Sequence, residues 1–264
     1  MRSFQSEQVN ESLLQEHFNR LTQGAGSIST REQERISRTL ALVPDTWHSV
    51  IDVGCGDGRV SSSLLKRGCR VVGIDWSSDS VARFPGEKHV CDIRAEWPIS
   101  EMFDGAICCE VLEHLTPADA ARVITQIRTH VRKGFLLTVP AREVLEENTV
   151  ACCQCRRDYH VWSHIQRFDE FGDVDRMAGL PSHVRDLIAA SGVRPSSTFT
   201  RIRRKLGFSP YDPSYLCPYC GAPLAQSMTP SVLIRCVNKV LTWAQYVCSP
   251  FRAPGGWFAC RYEV

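Results

Sequence analysis

The sequence predicts an α/β fold built on a doubly wound, mostly parallel sheet. Three observations carry that expectation. Val50-Ile-Asp-Val-Gly-Cys-Gly-Asp-Gly-Arg59 reads as a buried strand that turns sharply at glycines 54, 56 and 58 into a helix over about 59–67. Strand-then-helix patterns occur four times, with acids at the strand ends 75 and 92 and a glutamate at 110. At 264 residues and 43% hydrophobic, the chain can bury a full core, as one large domain or one domain with insertions.

Taken in order, residues 5–22 and 29–42 read as two amphipathic helices. Val9, Leu13, Leu14, Phe18 and Leu21 recur at helical spacing, as do Ile36, Leu40 and Val43, and Gly24-Ala-Gly26 separates the pair. Ser29 or Thr30 can cap the second. After the glycine turn, Cys69–Asp75 is a second buried strand, followed by a helix over 77–83, and Lys88–Ile93 is a third strand. Phe103–Glu110 is the fourth. Pro117 opens a helix over 118–130 at a first-turn position that tolerates it, and Gly134–Pro140 is the fifth strand. Farther on we expect a helix over 182–191, a sixth strand near 197–203, and a last strand over 257–264. A helix over 230–248 gathers Leu233, Cys236, Val237, Val240, Leu241, Ala244 and Val247 on one face, opposite Arg235, Asn238, Lys239 and Gln245. It could close the core, act as a lid or lie on a membrane surface.

Strand–Gly-loop–helix units bind two ligand classes, dinucleotides and S-adenosylmethionine. The dinucleotide fingerprint is G-x-G-x-x-G, with a pyrophosphate at the helix N-terminus. Here the spacing is G-x-G-x-G, and Asp52 stands two residues before Gly54. A carboxylate there repels a pyrophosphate but can help hold the cationic methionyl end of S-adenosylmethionine. Asp75, at the tip of strand two, is placed to accept both ribose hydroxyls, with an N-cap of the next helix as its alternative role. Trp76 could lie against the adenine.

Residues 50–59 resemble motif I of the class I S-adenosylmethionine-dependent methyltransferases, and Glu110-Val-Leu-Glu-His-Leu115 resembles the post-strand-four motif of the quinone-biosynthesis and small-molecule members. The resemblance covers roughly residues 48–140. It implies a Rossmann-like, seven-stranded methyltransferase sheet with S-adenosylmethionine as cofactor. Carried over residue by residue, it implies cofactor contacts from Asp52, Gly54, Cys55, Gly56, Gly58, Asp75, Trp76, Asp92, Ile93 and Glu110. Asp92 would meet the adenine amine, and the Ile93 amide would lie near the ring.

The chain has thirteen cysteines, yet Met1-Arg-Ser-Phe-Gln-Ser-Glu-Gln8 has no apolar h-region and no run reaches the ~18 apolar residues of a membrane span. A cytoplasmic, reducing setting is therefore expected, in which paired cysteines suggest metal. Cys152-Cys-Gln-Cys155 and Cys217-Pro-Tyr-Cys220-Gly221 are two C-x-x-C knuckles. Cys152, Cys155, Cys217 and Cys220 fit a structural zinc with four thiolates and no open position. Incidental buried thiols are the alternative for the first pair, which Cys153 makes ambiguous. The expected layout is an N-terminal helical cap over 1–46 and a methyltransferase core over 47–204 and 255–264. That core carries an inserted loop over 141–168, and a zinc-knuckle and amphipathic-helix insertion occupies 205–254.

Methyl transfer from a sulfonium is an in-line displacement, and a hydroxyl acceptor must lose a proton. His114 follows strand four, His164 could face it from the insertion, and Glu113 could orient either, so these three are the candidate catalytic residues. Glu110-x-x-Glu113-His114 with a downstream histidine also resembles the magnesium site of small-RNA 2′-O-methyltransferases, which implies Mg as a further cofactor. Against RNA, residues 1–200 are net acidic and no RNA-binding module is visible. The expected partner is a small-molecule or saccharide acceptor. Residues 201–264 carry eight Lys/Arg against two Asp/Glu, a basic region that suits peripheral membrane contact. A non-catalytic, zinc-braced subunit that binds S-adenosylmethionine is the competing class.

Overall fold

A computed structural model describes residues 10–23, 29–189, 198, 202, 211, 215–224, 232–248 and 256–264. These fall into two compact units, one drawn from residues 25–143, 164–191 and 254–264, the other from 1–24, 144–163 and 192–253. The two N-terminal helices, α1 (Glu11–Gln23) and α2 (Thr30–Ala41), therefore belong to different units.

The larger unit is the sheet. Its first five strands are β1 (Ser49–Val53), β2 (Arg70–Asp75), β3 (Glu87–Val90), β4 (Phe103–Cys109) and β5 (Val131–Ala141). The seven-stranded order is β3-β2-β1-β4-β5-β9-β8, where β8 is Val184–Ala189 and β9 is Gly256–Glu263. Strands β1 to β5 pair in parallel, and β9 runs antiparallel to both its neighbours. Alternation along each strand feeds two apolar layers. Val50, Val71 and Leu136 join Ile36 and Leu40 of α2, Leu64 of α3 (Ser61–Lys66) and Val81 of α4 (Ser78–Arg83). On the other face Ile51, Val53, Val72, Ile74 and Leu137 meet Val123, Ile124 and Ile127 of α5 (Pro117–His130) and Val174 of α6 (Phe171–Ala178).

The helix starts follow from their side chains. Ser29, Ser77 and Thr116 each accept a hydrogen bond from a backbone N–H three residues on, capping α2, α4 and α5. Pro117 occupies the first turn of α5, where its missing N–H costs nothing.

Two expectations are corrected. Only three of the four expected strand–helix units form, since β3 ends at Val90, two residues before Asp92, and 91–102 run to β4 without a helix. The helix expected over 182–191 is not formed by its described residues, because 184–189 is strand β8, paired from Val184↔Arg261 to Ala189↔Gly256. Val184, Leu187 and Ile188 fit helical spacing as well as a strand, and pairing with β9 decides between them, a tertiary contact invisible in local pattern. Arg185 and Asp186 suit the open edge of a sheet, and Asp186 is tied to Arg38 of α2. The strand expected near 197–203 lies outside the described residues, apart from isolated positions 198 and 202.

The smaller unit contains α1, a hairpin of β6 (Thr149–Ala151) and β7 (Asp158–His160), a turn closed by a Leu216↔Pro223 bridge, and α7 (Val232–Cys248). Its core joins Val150, Cys152, Tyr159, Val161, Cys217 and Leu224. Helix α1 leans on this core: His17 Nε2 lies 2.8 Å from the Val161 carbonyl, which makes that nitrogen the protonated donor.

Candidate active site

The topological switch between β1 and β4 leaves a crevice at the C-terminal strand ends, where open α/β sheets bind ligands. Gly54, Gly56 and Gly58 have φ of 74°, 52° and 79°, the left-handed region that glycine adopts without strain. Two of them do different work. A Cβ on Gly54 would lie 2.4 Å from Val111 Cγ2, so packing requires glycine there. A Cβ on Gly56 would meet nothing within 4 Å, so this residue offers bare backbone to the crevice.

Two carboxylates line the turn. Asp75 Oδ2 accepts from the Gly56 amide at 3.0 Å and Oδ1 from the Ser77 amide at 2.9 Å, which locks the carboxylate at the tip of β2. Ser77, not Asp75, caps α4. Burial raises the Asp75 carboxyl above its ordinary value, against the pull of these amides. Asp52 is fully enclosed and accepts from Ser61 Oγ at 2.5 Å. Burial pushes it up to about 7, the Ser61 hydrogen bond opposing and the Asp75 charge adding. Such a carboxyl gains from a nearby cation.

Just beyond β3, Asp92 is paired with Arg94 at 2.7 Å, which holds its carboxyl below the usual range. Arg94 also lies over the Trp76 ring, 6.0 Å from its centroid. The Ile93 carbonyl is occupied by Trp97 Nε1 and Gln126 Nε2. Cys55 is buried beneath the turn, its thiol pushed up by burial and the charges of Asp52 and Asp75, so it acts as a small apolar filler.

The second half of the site follows β4. Glu110 takes φ of 59°, unusual for a residue with a side chain, and its carboxylate accepts from Thr138 Oγ1 at 2.9 Å. Burial raises its carboxyl, while Arg35, Thr138 and the Trp257 indole favour the charge. A 3₁₀ turn over Leu112–His114 then presents Glu113 and His114. The chain at 165–166 is strapped to it, since the Ile165 and Gln166 amides both donate to the Glu113 carbonyl at 2.8 and 3.1 Å. This strap brings His164 in, with its ring centroid 4.7 Å from that of His114 and the two rings near perpendicular. His164 Nδ1 lies 2.5 Å from Glu143 Oε2, and His164 Nε2 lies 4.0 Å from Glu113 Oε1.

Glu113 is 1% exposed and neither oxygen has a hydrogen-bond partner. Burial, then the Glu110 and Glu143 carboxylates, push its carboxyl well up. One ligand atom each from Glu113, His114 and His164 lies within 4.8 Å of the others. The orienting partner of His164 is thus Glu143 rather than the Glu113 expected from the sequence. Arg35 and Glu143 were both missed. Arg35 on α2 is bound to Glu32 at 2.7 Å and packs over Trp257. A weak signal existed for each: a cation on the buried side of an amphipathic helix, and an acid just beyond strand five.

The expected cysteines do meet in the smaller unit. Sγ of Cys152, Cys155, Cys217 and Cys220 all lie within 4.8 Å of one another. Cys153 is exposed and is not one of this cluster.

Comparison with known proteins agrees with this geometry. A family model described as a methyltransferase domain matches residues 50–134. Curated relatives include a ubiquinone biosynthesis O-methyltransferase of Stutzerimonas stutzeri (strain A1501), 38% identical over 159 residues, covering 53% of this chain and 66% of that protein. Another, of the same name, is from Aeromonas salmonicida (strain A449), 33% identical over 103 residues, covering 34% of this chain and 42% of that protein. The chain thus spans less than two thirds of the length of these relatives. Among solved structures, an S-adenosylmethionine-dependent methyltransferase from Mesorhizobium loti matches with a TM-score of 0.51 at 11% identity, over 88% of this chain and 98% of that one. A counterpart from Archaeoglobus fulgidus gives 0.50 at 12% identity, over 89% and 95%. These two likenesses bear on fold alone. Strand order, glycine turn and domain match together show a Rossmann-like, class I methyltransferase fold with a methyltransferase domain over residues 50–134.

Proposed function

We propose that this chain transfers the methyl group of S-adenosylmethionine to a hydroxyl of a small organic acceptor, with His164 taking the proton. The observation that carries the reading is the Glu143–His164 pair, held at the strand ends beside a buried glutamate. The crevice fits the cofactor: Gly56 leaves backbone open, Asp75 is locked at the ribose position, and Asp52 is a buried carboxyl that a cation would ionise. When bound, the sulfonium supplies the methyl and leaves as a neutral thioether. The Nδ1–H of His164 donates to Glu143, which leaves Nε2 as the basic nitrogen. Nε2 accepts the hydroxyl proton as the oxygen attacks, and the Glu143 carboxylate stabilises the imidazolium that forms. Trp76, Asp92 and Ile93 would line the adenine side, with Arg94 turning away from Asp92 to free it. The name of the curated relatives, ubiquinone biosynthesis O-methyltransferase, supports an oxygen acceptor on a small molecule of that kind, and a saccharide hydroxyl is the other small acceptor to test.

A second reading is favoured by the bare Glu113 carboxyl. A buried acid without hydrogen bonds, crowded by two more carboxylates and two imidazoles, suits a divalent cation. Glu113, His114 and His164 would hold it, and it would supply Lewis acidity toward the acceptor oxygen.

Calorimetry with S-adenosylmethionine, followed by a mass-shift screen of phenols, saccharides and short RNA, tests the first reading. Tight binding with no methylated product would favour a cofactor-binding subunit instead. Chelation separates the two mechanisms: turnover unchanged by EDTA and by added Mg removes the cation. Binding of Mn(II) followed by electron paramagnetic resonance, lost in Glu113→Gln, would support it without relying on activity.

A further inference from the structure

We infer that Cys152, Cys155, Cys217 and Cys220 form a tetrahedral zinc site that braces the smaller unit and takes no part in chemistry. The distances carry it. Cys152 and Cys220 Sγ are 3.6 Å apart, and Cys155 and Cys217 Sγ are 3.7 Å apart. Zinc–thiolate bonds of about 2.3 Å at tetrahedral angles put sulfurs about 3.8 Å apart. A disulfide would hold them at about 2.05 Å. The close approaches run across the two knuckles, so the four sulfurs surround one point rather than forming two local pairs.

The backbone around them is that of a ligand cage. Amides of Gln154 and Cys155 both point at Cys152 Sγ, at 3.4 Å, an arrangement that stabilises a thiolate. Each knuckle is followed by a left-handed residue, Arg156 at φ 62° and Gly221 at φ 70°, where the chain folds back. The Gly221 amide then donates to the Cys217 carbonyl and the Arg156 amide to that of Cys152, matching turns on the two sides. Among its described residues the unit has, beside α1, a bridged turn and α7, a short hairpin and one small cluster of buried apolar side chains. Metal closure across a long intervening segment offsets that shortage by restricting the unfolded chain. Four protein ligands leave no position for water or substrate, which separates this site from the methyl-transfer crevice.

The test is metal content of the full chain, purified with reductant and without chelator. One zinc per chain is expected by elemental analysis. Cobalt substitution should give intense thiolate-to-metal charge transfer and the visible bands of a tetrahedral ion. Cys153→Ser should keep the metal, and Cys220→Ser should lose it. Less than about a tenth of an equivalent in the wild-type chain overturns the site, as does a cobalt spectrum without thiolate bands. Loss of zinc in Cys153→Ser overturns the ligand assignment. None of these readouts depends on methyl transfer or on the Cys220 variant folding.

A different observation carries a second inference: helix α7 docks on an anionic lipid bilayer. Leu233, Cys236, Val240, Trp243 and Val247 form one stripe and all are exposed, Val240 at 63% and Trp243 at 69%. Val237, Leu241 and Ala244, expected on that same face, are half-buried instead. Exposed Arg235 and Lys239 accompany the stripe, and no carboxylate occurs between residues 213 and 262. Seventeen residues of helix with this pattern lie along an interface, and no helix among the described residues is long and apolar enough to cross one. A second copy of the same helix would set cations against cations, so anionic headgroups are the better match. Vesicle sedimentation decides it. The chain should pellet with phosphatidylcholine–phosphatidylglycerol vesicles and not with phosphatidylcholine alone. Val240→Glu should weaken this at least about tenfold with S-adenosylmethionine binding unchanged. Absence of pelleting with either vesicle overturns the inference, as does a dimer in light scattering that Val240→Glu dissolves.

Discussion

Alanine at Gly54 and at Gly56 should break different properties, although the two positions are separated by one residue. Both need a positive φ, and for a residue with a Cβ that costs roughly 1–2 kcal/mol. At Gly54 the new methyl would also sit 2.4 Å from Val111 Cγ2, more than an ångström inside the ordinary ~3.5–4.0 Å contact. Overpacking of that kind costs typically about 1–3 kcal/mol. Gly54→Ala should therefore lose about 2–5 kcal/mol of stability, and Gly56→Ala about 1–2 kcal/mol. Binding should fall the other way round. The Gly56 methyl projects into open crevice and would stand where the cofactor must approach the backbone, so affinity for S-adenosylmethionine should drop at least about tenfold, or 1.4 kcal/mol. Urea midpoints and titration calorimetry on the three proteins provide the numbers. Adding Val111→Ala to Gly54→Ala removes the clashing methyl and should show a favourable coupling of about 1–3 kcal/mol. If Gly56→Ala binds the cofactor as tightly as wild type while Gly54→Ala is no less stable than Gly56→Ala, the division of labour in this turn is wrong.

Three further expectations concern the carboxylates and Arg35. Glu143→Gln leaves His164 without its anionic partner and should lower kcat by about 10²-fold or more, with cofactor affinity unchanged by calorimetry. Folded, Asp52 keeps its proton up to about pH 7, whereas unfolded it ionises near 3.8. The native state therefore binds more protons between those values, and this group's contribution falls as pH rises through the window, by up to about 4 kcal/mol. Asp52→Asn should accordingly match wild type in urea midpoint near pH 4 and exceed it near pH 8. Arg35→Ala strips a buried cation from Glu32 and Glu110 and should cost about 3 kcal/mol in the same assay.

What could be read from residues alone was what depends on local pattern. Strand β1 and its glycine turn are contiguous, Asp75 ends the next apolar run, and burial on both faces of a parallel sheet leaves such runs unbroken. The meeting of the two cysteine pairs was legible from their shared C-x-x-C spacing, even with the pairs far apart in the chain. Strand β8 was not, since Val184, Leu187 and Ile188 satisfy either period until β9 arrives to pair with them. Glu143 escaped notice for a related reason: it becomes meaningful only when the strap at 165–166 brings His164 beside it. The face of α7 was misjudged by hydropathy alone, which sums apolar residues without saying which of them have partners.

The place of β9 bears on how the molecule assembles. It lies between β5 and β8, yet it follows both in the chain. During synthesis the flank of β5 must wait as an unpaired ribbon, and β8 has nothing to zip onto, until residues 256–263 leave the ribosome. Exposed ribbons of that kind recruit other chains. Yield at high expression should thus be limited by association of nascent chains through β5, rather than by weakness of the finished sheet.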